Sequence, residues 1–314
     1  MPNYNGVWSL STQYQYAADW PSPPTTALFA GGSTGSLLNV IEFISIETAG
    51  NSADFGDLSA AIQNQGAVAS YTRAVFGGGE ISSTSNVLDF ITIASAGNAT
   101  DFGDLTVSRQ GPEGVSSSVR GCFGGGDTDK DTIDYITIAS AGNATDFGNL
   151  TDARGYFGAT SSPTRGVFGG GISGYVDTID YITIASAGNA TDFGDLSAAK
   201  INAPACASNT RGLFSGGYRD DTEVKLNIIE YITIASTGNV TDFGDLTLAK
   251  DSGASTSNKI RGVYAGGRSG SGTTRRAEID VFTIATTGNA TDFGDISATK
   301  MDMASTSNAH GGLG

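Results

Sequence analysis

The segment Arg154–Leu196, RGYFGATSSPTRGVFGGGISGYVDTIDYITIASAGNATDFGDL, decides the fold. Four short stretches follow one another in it. The first, Arg154–Thr164, is rich in small residues. The second, Arg165–Gly171, runs into glycines. The third, Ile179–Ser186, is dense in β-branched and aromatic residues, and Ala187–Leu196 carries Asp-Phe-Gly. β-Branched and aromatic side chains suit a pleated, half-buried surface, whereas Gly, Asn and Pro interrupt it, so the segment reads as four strands separated by turns.

The unit recurs along the chain. The phenylalanine of Asp-Phe-Gly stands at Phe55, Phe102, Phe147, Phe193, Phe243 and Phe293, in steps of 47, 45, 46, 50 and 50 residues. A period of this length fits a four-stranded structural repeat. Third and fourth strands meet at Gly-Asn, as in Gly97-Asn98 and Gly188-Asn189, residues that tolerate the positive φ of tight hairpins. First strands are built of small residues, as in Gly66–Ser70, Gly114–Ser118, Ala203–Ser208 and Gly253–Ser257. Small side chains belong where repeats converge on a crowded axis, and larger ones where they fan apart.

Second strands end in glycine pairs at Gly31-Gly32, Gly78-Gly79, Gly125-Gly126, Gly170-Gly171, Gly216-Gly217 and Gly266-Gly267. Third strands carry Phe43, Phe90, Tyr135, Tyr181 and Tyr231, with Val281 in the last copy. An apolar strand closing on a glycine pair, then an aromatic on each of the next two strands, resembles kelch repeats, with Phe where kelch repeats usually carry Trp. The resemblance implies an all-β fold, a six-bladed kelch-like β-propeller with four antiparallel strands per blade. The first copy opens at its second strand, Ala27–Gly32, and the last is followed by an extra small-residue stretch, Met303–Asn308. The C-terminal strand is therefore expected to complete the first blade and close the ring, which leaves no free sheet edge. Residues 1–26 form a non-repeating arm and residues 27–314 the propeller.

With 32 acidic against 17 basic residues, the formal charge is −15. That is the wrong sign for a surface that neutralises phosphates, so nucleic acid is not an expected partner. No charged-then-apolar signal segment and no apolar run of membrane-spanning length occurs, so membrane insertion is not expected either. Cys122 and Cys206 replace small or apolar residues of other repeats and read as buried free thiols.

Material for catalysis is sparse. His310 is the sole histidine, which by counting excludes a multi-histidine metal site and argues against a His-based triad. Asp-Phe-Gly reads as a structural turn whose carboxylates accept backbone N–H bonds. Glu42, Asp89, Asp134, Asp180, Glu230 and Asp280 recur in the third strand of every repeat, and Arg73, Arg120, Arg165, Arg211 and Arg261 open second strands. Recurrence marks both sets as structural, the arginines tying neighbouring blades together. Asp127-Thr-Asp129-Lys-Asp131 resembles the start of a calcium loop, but Thr132 and Ile138 stand where glycine and glutamate are needed, so it reads as a solvated acidic loop. The expectation is a non-enzymatic protein with no cofactor and no metal. Five Asn-X-Thr sequons, as at Asn98-Ala-Thr100, follow from the Gly-Asn turn without glycans.

Recognition is expected on the segments between second and third strands, which diverge while the Ala-Gly-Asn-Ala-Thr turns of the other rim stay nearly constant. Loops that vary on a constant scaffold are where binding concentrates. The candidate residues are Asp127, Asp129, Asp131, Tyr175, Tyr218, Arg219, Asp220, Arg268, Arg275 and Arg276. A second candidate is the arm, with Trp8, Leu10, Tyr14 and Trp20, a mostly aromatic set suited to docking to a partner or to packing over the propeller.

An arm with Gly6-Val-Trp8-Ser-Leu10 and Trp20-Pro21, followed by Ile-Thr-Ile-Ala and Gly-Asn-Ala-Thr-Asp-Phe-Gly-Asp-Leu repeats, resembles structural proteins of tailed, especially marine, bacteriophages. That resemblance implies a virion component made in the host cytoplasm, tail- or fibre-associated or capsid-decorating. Its partners would be other virion proteins and a host-surface protein or glycan. A carbohydrate-binding propeller adhesin is the alternative, and a copper enzyme of the galactose-oxidase type a more distant one.

Overall fold

The computed structural model describes residues 25–313, apart from 128 and 273. The chain is all-β, and the arm residues Trp8, Leu10, Tyr14 and Trp20 lie outside the described part. Among the described residues there are six four-stranded antiparallel sheets, in a β-propeller-like arrangement, with a two-stranded and a three-stranded accessory sheet. The second repeat shows the common order: Gly66–Ala69 innermost, then Arg73–Gly77, Val87–Thr92 and, outermost, Thr100–Asp104. In the first sheet the innermost place is taken by Ala304–Ser307, which pairs with Thr26–Ala30 in the register Ala27↔Ser307 to Ala30↔Ala304.

The hydrophobic core is divided among the sheet interfaces. Val75, Leu88 and Phe102 of the second sheet pack with Phe123 and Ile136 of the third. Four further clusters join the first sheet to the second and so on to the sixth, and another joins Val263 and Phe293 of the sixth to Phe29 and Ile44 of the first. Both faces of a sheet are thus buried, which explains why the third strands lack a polar face. Each buried Phe side chain contributes about 1.5–3 kcal/mol over its exposed state.

Asp-Phe-Gly lies inside the outer strand, not in a turn. Ile41 pairs with Gly56 and Glu42 with Asp54, so Phe55 is the extra residue of a β-bulge, repeated at the same place in the other five sheets. Bulges re-aim side chains. Here Phe55 turns inward, edge-on to Phe43 at 5.9 Å, with matching pairs in the next four repeats. The Gly of the motif is needed for approach: a Cβ on Gly56 would stand 2.3 Å from the Gly97 carbonyl oxygen.

Two expectations about these turns are corrected. The Asp residues of Asp-Phe-Gly are exposed and take no backbone N–H role. That role belongs to the turn Asn, because Asn98 Oδ1 accepts from Asp57 N at 3.1 Å and Asn51 Oδ1 from Asp295 N at 3.1 Å, with four equivalents between. Positive φ in the pair belongs to Gly in five of the six turns, Gly97 being the exception, and none of these Asn residues has it. The Asn is therefore selected as a side-chain acceptor that ties each turn to the preceding sheet.

Candidate functional site

Most buried charge in the molecule is used in joining sheets. Seven residues after each Asp-Phe-Gly phenylalanine stand Arg109, Arg154, Lys200, Lys250 and Lys300, fully buried, and Ile62 in the first repeat. Each cation meets the third-strand carboxylate of the next sheet: Arg109–Asp134 at 2.9 Å, Arg154–Asp180 at 3.0 Å, Lys200–Glu230 at 2.7 Å, Lys250–Asp280 at 3.0 Å and Lys300–Glu42 at 3.1 Å. Lys250 Nζ is also 4.9 Å from the Tyr264 ring centre. Burial pulls Arg109, Arg154 and Lys200 below their ordinary pKa, and the facing carboxylates oppose that pull. A hydroxyl of the preceding sheet completes each carboxylate, as Thr106 Oγ1 does for Asp134 at 2.6 Å.

The second-strand arginines tie sheets by a separate device. Arg73 donates to the Ile138 carbonyl at 3.0 Å and lies over the Phe90 ring at 4.3 Å, and Arg120, Arg165 and Arg211 repeat this pattern. Arg261 donates to Glu47 O at 2.9 Å, from the sixth sheet to the first. Cys122 and Cys206 are buried free thiols, both pushed up to about 12 by burial, which leaves them unreactive.

The two rims differ as the repeats suggest. On the divergent rim, Tyr218–Arg219 and Val224–Lys225 form one hairpin, and Arg268–Ser269 pairs with Thr274–Arg275 and with Lys250–Asp251. Lys225 Nζ bridges the two by donating to Gly270 O at 2.8 Å and Gly272 O at 3.1 Å. Much of the charge expected to face a partner is engaged locally. Arg219 grips Asp221 through two bonds, Arg268 grips the buried Asp251, Arg276 donates to Ser269, and Asp129 pairs with Lys130. Tyr175 is half-buried and Asp220, whose charge acts on it, is exposed; the Asp131 carbonyl accepts from Leu150 N, and Asp127 has a left-handed backbone and donates its N–H to Gln110 O. Arg275 lies half-buried near Gly35.

These residues are distributed around the rim, while the axis holds a group that the sequence reading did not single out. Asn64, Gly111, Tyr156, Asn202, Ser252 and Asp302 stand one per repeat, and all six have φ between 53° and 63°. Each N–H donates to the carbonyl of the preceding member, Gly111 to Asn64, Tyr156 to Gly111, and so round to Asn64 to Asp302 at 3.0 Å. The Tyr156 ring covers Gly111. Inside this hydrogen-bonded circle lie two narrow cavities of about 40 and 70 Å³ that share Gln65, Glu113, Pro204, Gly253 and Met303.

The larger is lined mainly by Ala, Gly, Ser and Thr, and the smaller by the circle residues with Phe157. Glu113 is held up at about 8 by burial. At the mouth, burial raises Asp302 to about 6, and Tyr156 is raised to about 12 by burial and by the charges of Asp127, Glu80 and Asp302. At the opposite end, His310 Nε2 lies 3.1 Å from Ala69 O and 3.2 Å from Ser116 Oγ, and burial lowers its pKa to about 4. Gly311–Leu313 form a buried 3₁₀ turn beside it. Between adjacent inner strands, Ser116, Ser161, Ser257 and Ser307 donate to carbonyls at 2.6–3.1 Å, which satisfies the wall.

No family model and no curated protein matches this sequence.

Proposed function

We propose that the chain is a six-bladed kelch-like β-propeller, closed by its C-terminal strand, that serves as a non-enzymatic structural and attachment protein of a virion. The cyclic order of the core clusters and the pairing of Ala304–Ser307 with Thr26–Ala30 support the ring. The observation that carries the functional reading is the placement of Thr25. Its carbonyl accepts from Ile46 N, at the start of a constant-rim turn, and its hydroxyl from Asn258 Nδ2. Residues 1–24 thus join the scaffold on the constant rim, opposite the divergent loops. A rigid body with an attachment segment on one face and varied loops on the other suits an adaptor. Buried polar chemistry devoted to sheet-to-sheet ties supports rigidity and leaves little for catalysis.

The resemblance of the arm and repeats to tailed-phage proteins supplies the virion as the assembly. Deleting residues 1–24 is expected to leave the melting temperature unchanged and abolish incorporation into particles; normal incorporation refutes the reading. A glycan array addresses the adhesin alternative. Sugar binding that is lost when loop 218–227 is replaced would put that alternative in its place.

A further inference from the structure

We propose that the axial cavity is a binding site for a primary ammonium group, the end of a lysine side chain or of a small alkylamine, which enters from the divergent rim and takes Glu113 as its counter-ion. Glu113 begins its inner strand opposite Gly124, and the corresponding places hold Gly66, Gly158, Pro204, Ala254 and Ala304. One repeat in six therefore puts a carboxyl where the others put a small or ring-closed residue. None of the ion pairs among the described residues includes it. A carboxyl placed in a confined cavity without a cation is costly unless a ligand completes it.

Gln65 is a second, independent sign. It lines both cavities, is 7% exposed, and its Oε1 has no hydrogen-bond partner. The cavity thus offers a carboxylate and an orphan amide oxygen, with Ser255 among its other wall residues. An ammonium carries three donors and no acceptor, which matches that inventory. Pro204 and Met303, shared by both cavities, provide apolar surface for an alkyl stem. Calcium fits less well, because it takes 6–8 oxygens, several of them from carboxylates, and the inner cavity has one carboxylate.

Access is directional. At the constant rim the bore is filled, since a Cβ on Gly311 would stand 2.4 Å from Ser208 O and one on Gly312 1.8 Å from Ser116 O. At the other end the mouth carries Asp302, with Glu80 and Asp127 close enough to act on Tyr156. Arg268 and Arg275 also act on Asp302, so carboxylates predominate at the mouth without being its only charges, and a field of that net sign attracts cations.

The inference does not depend on the virion reading, and its test needs only the purified full chain. Isothermal titration at pH 8.5 with n-butylammonium is expected to show saturable binding, with no binding of n-butanol and no displacement by calcium. Glu113→Gln should weaken the amine by about tenfold or more. Gln65→Leu is the second variant, with melting curves to establish that each is folded, and it should weaken binding as well. Nα-acetyl-lysine methylamide separates the sources: binding as tight as butylammonium indicates a lysine of a protein partner, and binding of butylammonium alone a free amine. Absence of saturable amine binding, equal affinity in folded Glu113→Gln, or displacement by calcium overturns the proposal.

Discussion

Lys300 Nζ lies 3.1 Å from Glu42 Oε1, with both side chains 1% exposed, so one buried ion pair joins the last repeat to the first. Ser52 and Ser297 also donate to Glu42. Replacing Lys300 by Met leaves a buried carboxylate with hydroxyl donors but no counter-charge, an effect of about 3–5 kcal/mol for pairs of this kind. Removing both charges with Lys300→Met and Glu42→Leu should recover most of that loss, because the desolvation cost disappears with the ions. Urea unfolding of the two variants checks this, and a single variant as stable as the parent would contradict it.

Asp89 holds the equivalent place in the second sheet without a cation. Ser59 donates to its Oδ2 through N at 3.0 Å and Oγ at 2.6 Å, while Oδ1 is buried with no hydrogen-bond partner. The residue seven after the preceding Asp-Phe-Gly phenylalanine is Ile62, not Lys or Arg. Asp134→Asn strands the buried Arg109 and is expected to cost about 3–5 kcal/mol, whereas Asp89→Asn strands nothing and should cost well under half as much. Denaturant midpoints of the two variants decide it. Equal losses would mean that the carboxylates act through their hydroxyl donors alone.

The sheets, their order and the completing strand are legible in the sequence because each rests on a motif present in every copy. The ion pairs were half legible. Recurrent acids such as Asp134 stand out, but their partners change among Arg109, Lys200 and Ile62 and lack a shared letter. Their fixed distance from the phenylalanine was the available signal. Glu113 was missed for a related reason: it lies one residue before the small-residue stretch Gly114–Ser118, and only the strand register places it on the axis. On the divergent rim the local pairing of Arg219 with Asp221 and of Arg268 with Asp251 was not legible, because neither pair belongs to a repeated motif.

Stability should respond to pH through two axial groups with opposite signs. Glu113 has an ordinary value of 4.5 and is raised to about 8 in the fold, so the folded state holds its proton more tightly. Its contribution is complete below pH 4.5 and is lost as pH rises towards 8. Asp302, raised from 3.8 to about 6, adds a loss of the same sign over that lower window. His310 is lowered from 6.5 to about 4, so its contribution is present above pH 6.5 and lost as pH falls towards 4. Between pH 4.5 and 6 the two carboxyl losses outweigh the His310 gain, and above pH 6.5 only the Glu113 loss remains, so melting temperature measured from pH 4 to 9 should fall as pH rises towards 8. Glu113→Gln should flatten the fall, most clearly between pH 6.5 and 8, and His310→Asn should steepen it below pH 6.5; a variant that leaves its own window unchanged would disprove that assignment.

The C-terminal residues fill two roles that mutation can separate. Ala304–Ser307 supplies the inner strand of the first sheet, while Gly311 and Gly312 pass so close to inner-strand carbonyls that neither position admits a side chain. The obstructing Ser116 oxygen is backbone within a strand and cannot move aside, so Gly312→Ala must expel the turn instead of straining the wall. Expulsion removes His310 from Ala69 O and Ser116 Oγ and the Leu313 carbonyl from the Tyr71 hydroxyl, but leaves every sheet intact. Gly312→Ala and deletion of residues 309–314 should therefore lower the melting temperature modestly and equally, with faster amide exchange confined to the inner strands around the bore. Deleting residues 301–314 also removes the strand and Asp302, which links the circle of N–H···O bonds at the mouth, and should lower it sharply. Equal melting temperatures for the short and long deletions would show that Ala304–Ser307 does not hold the first sheet in place.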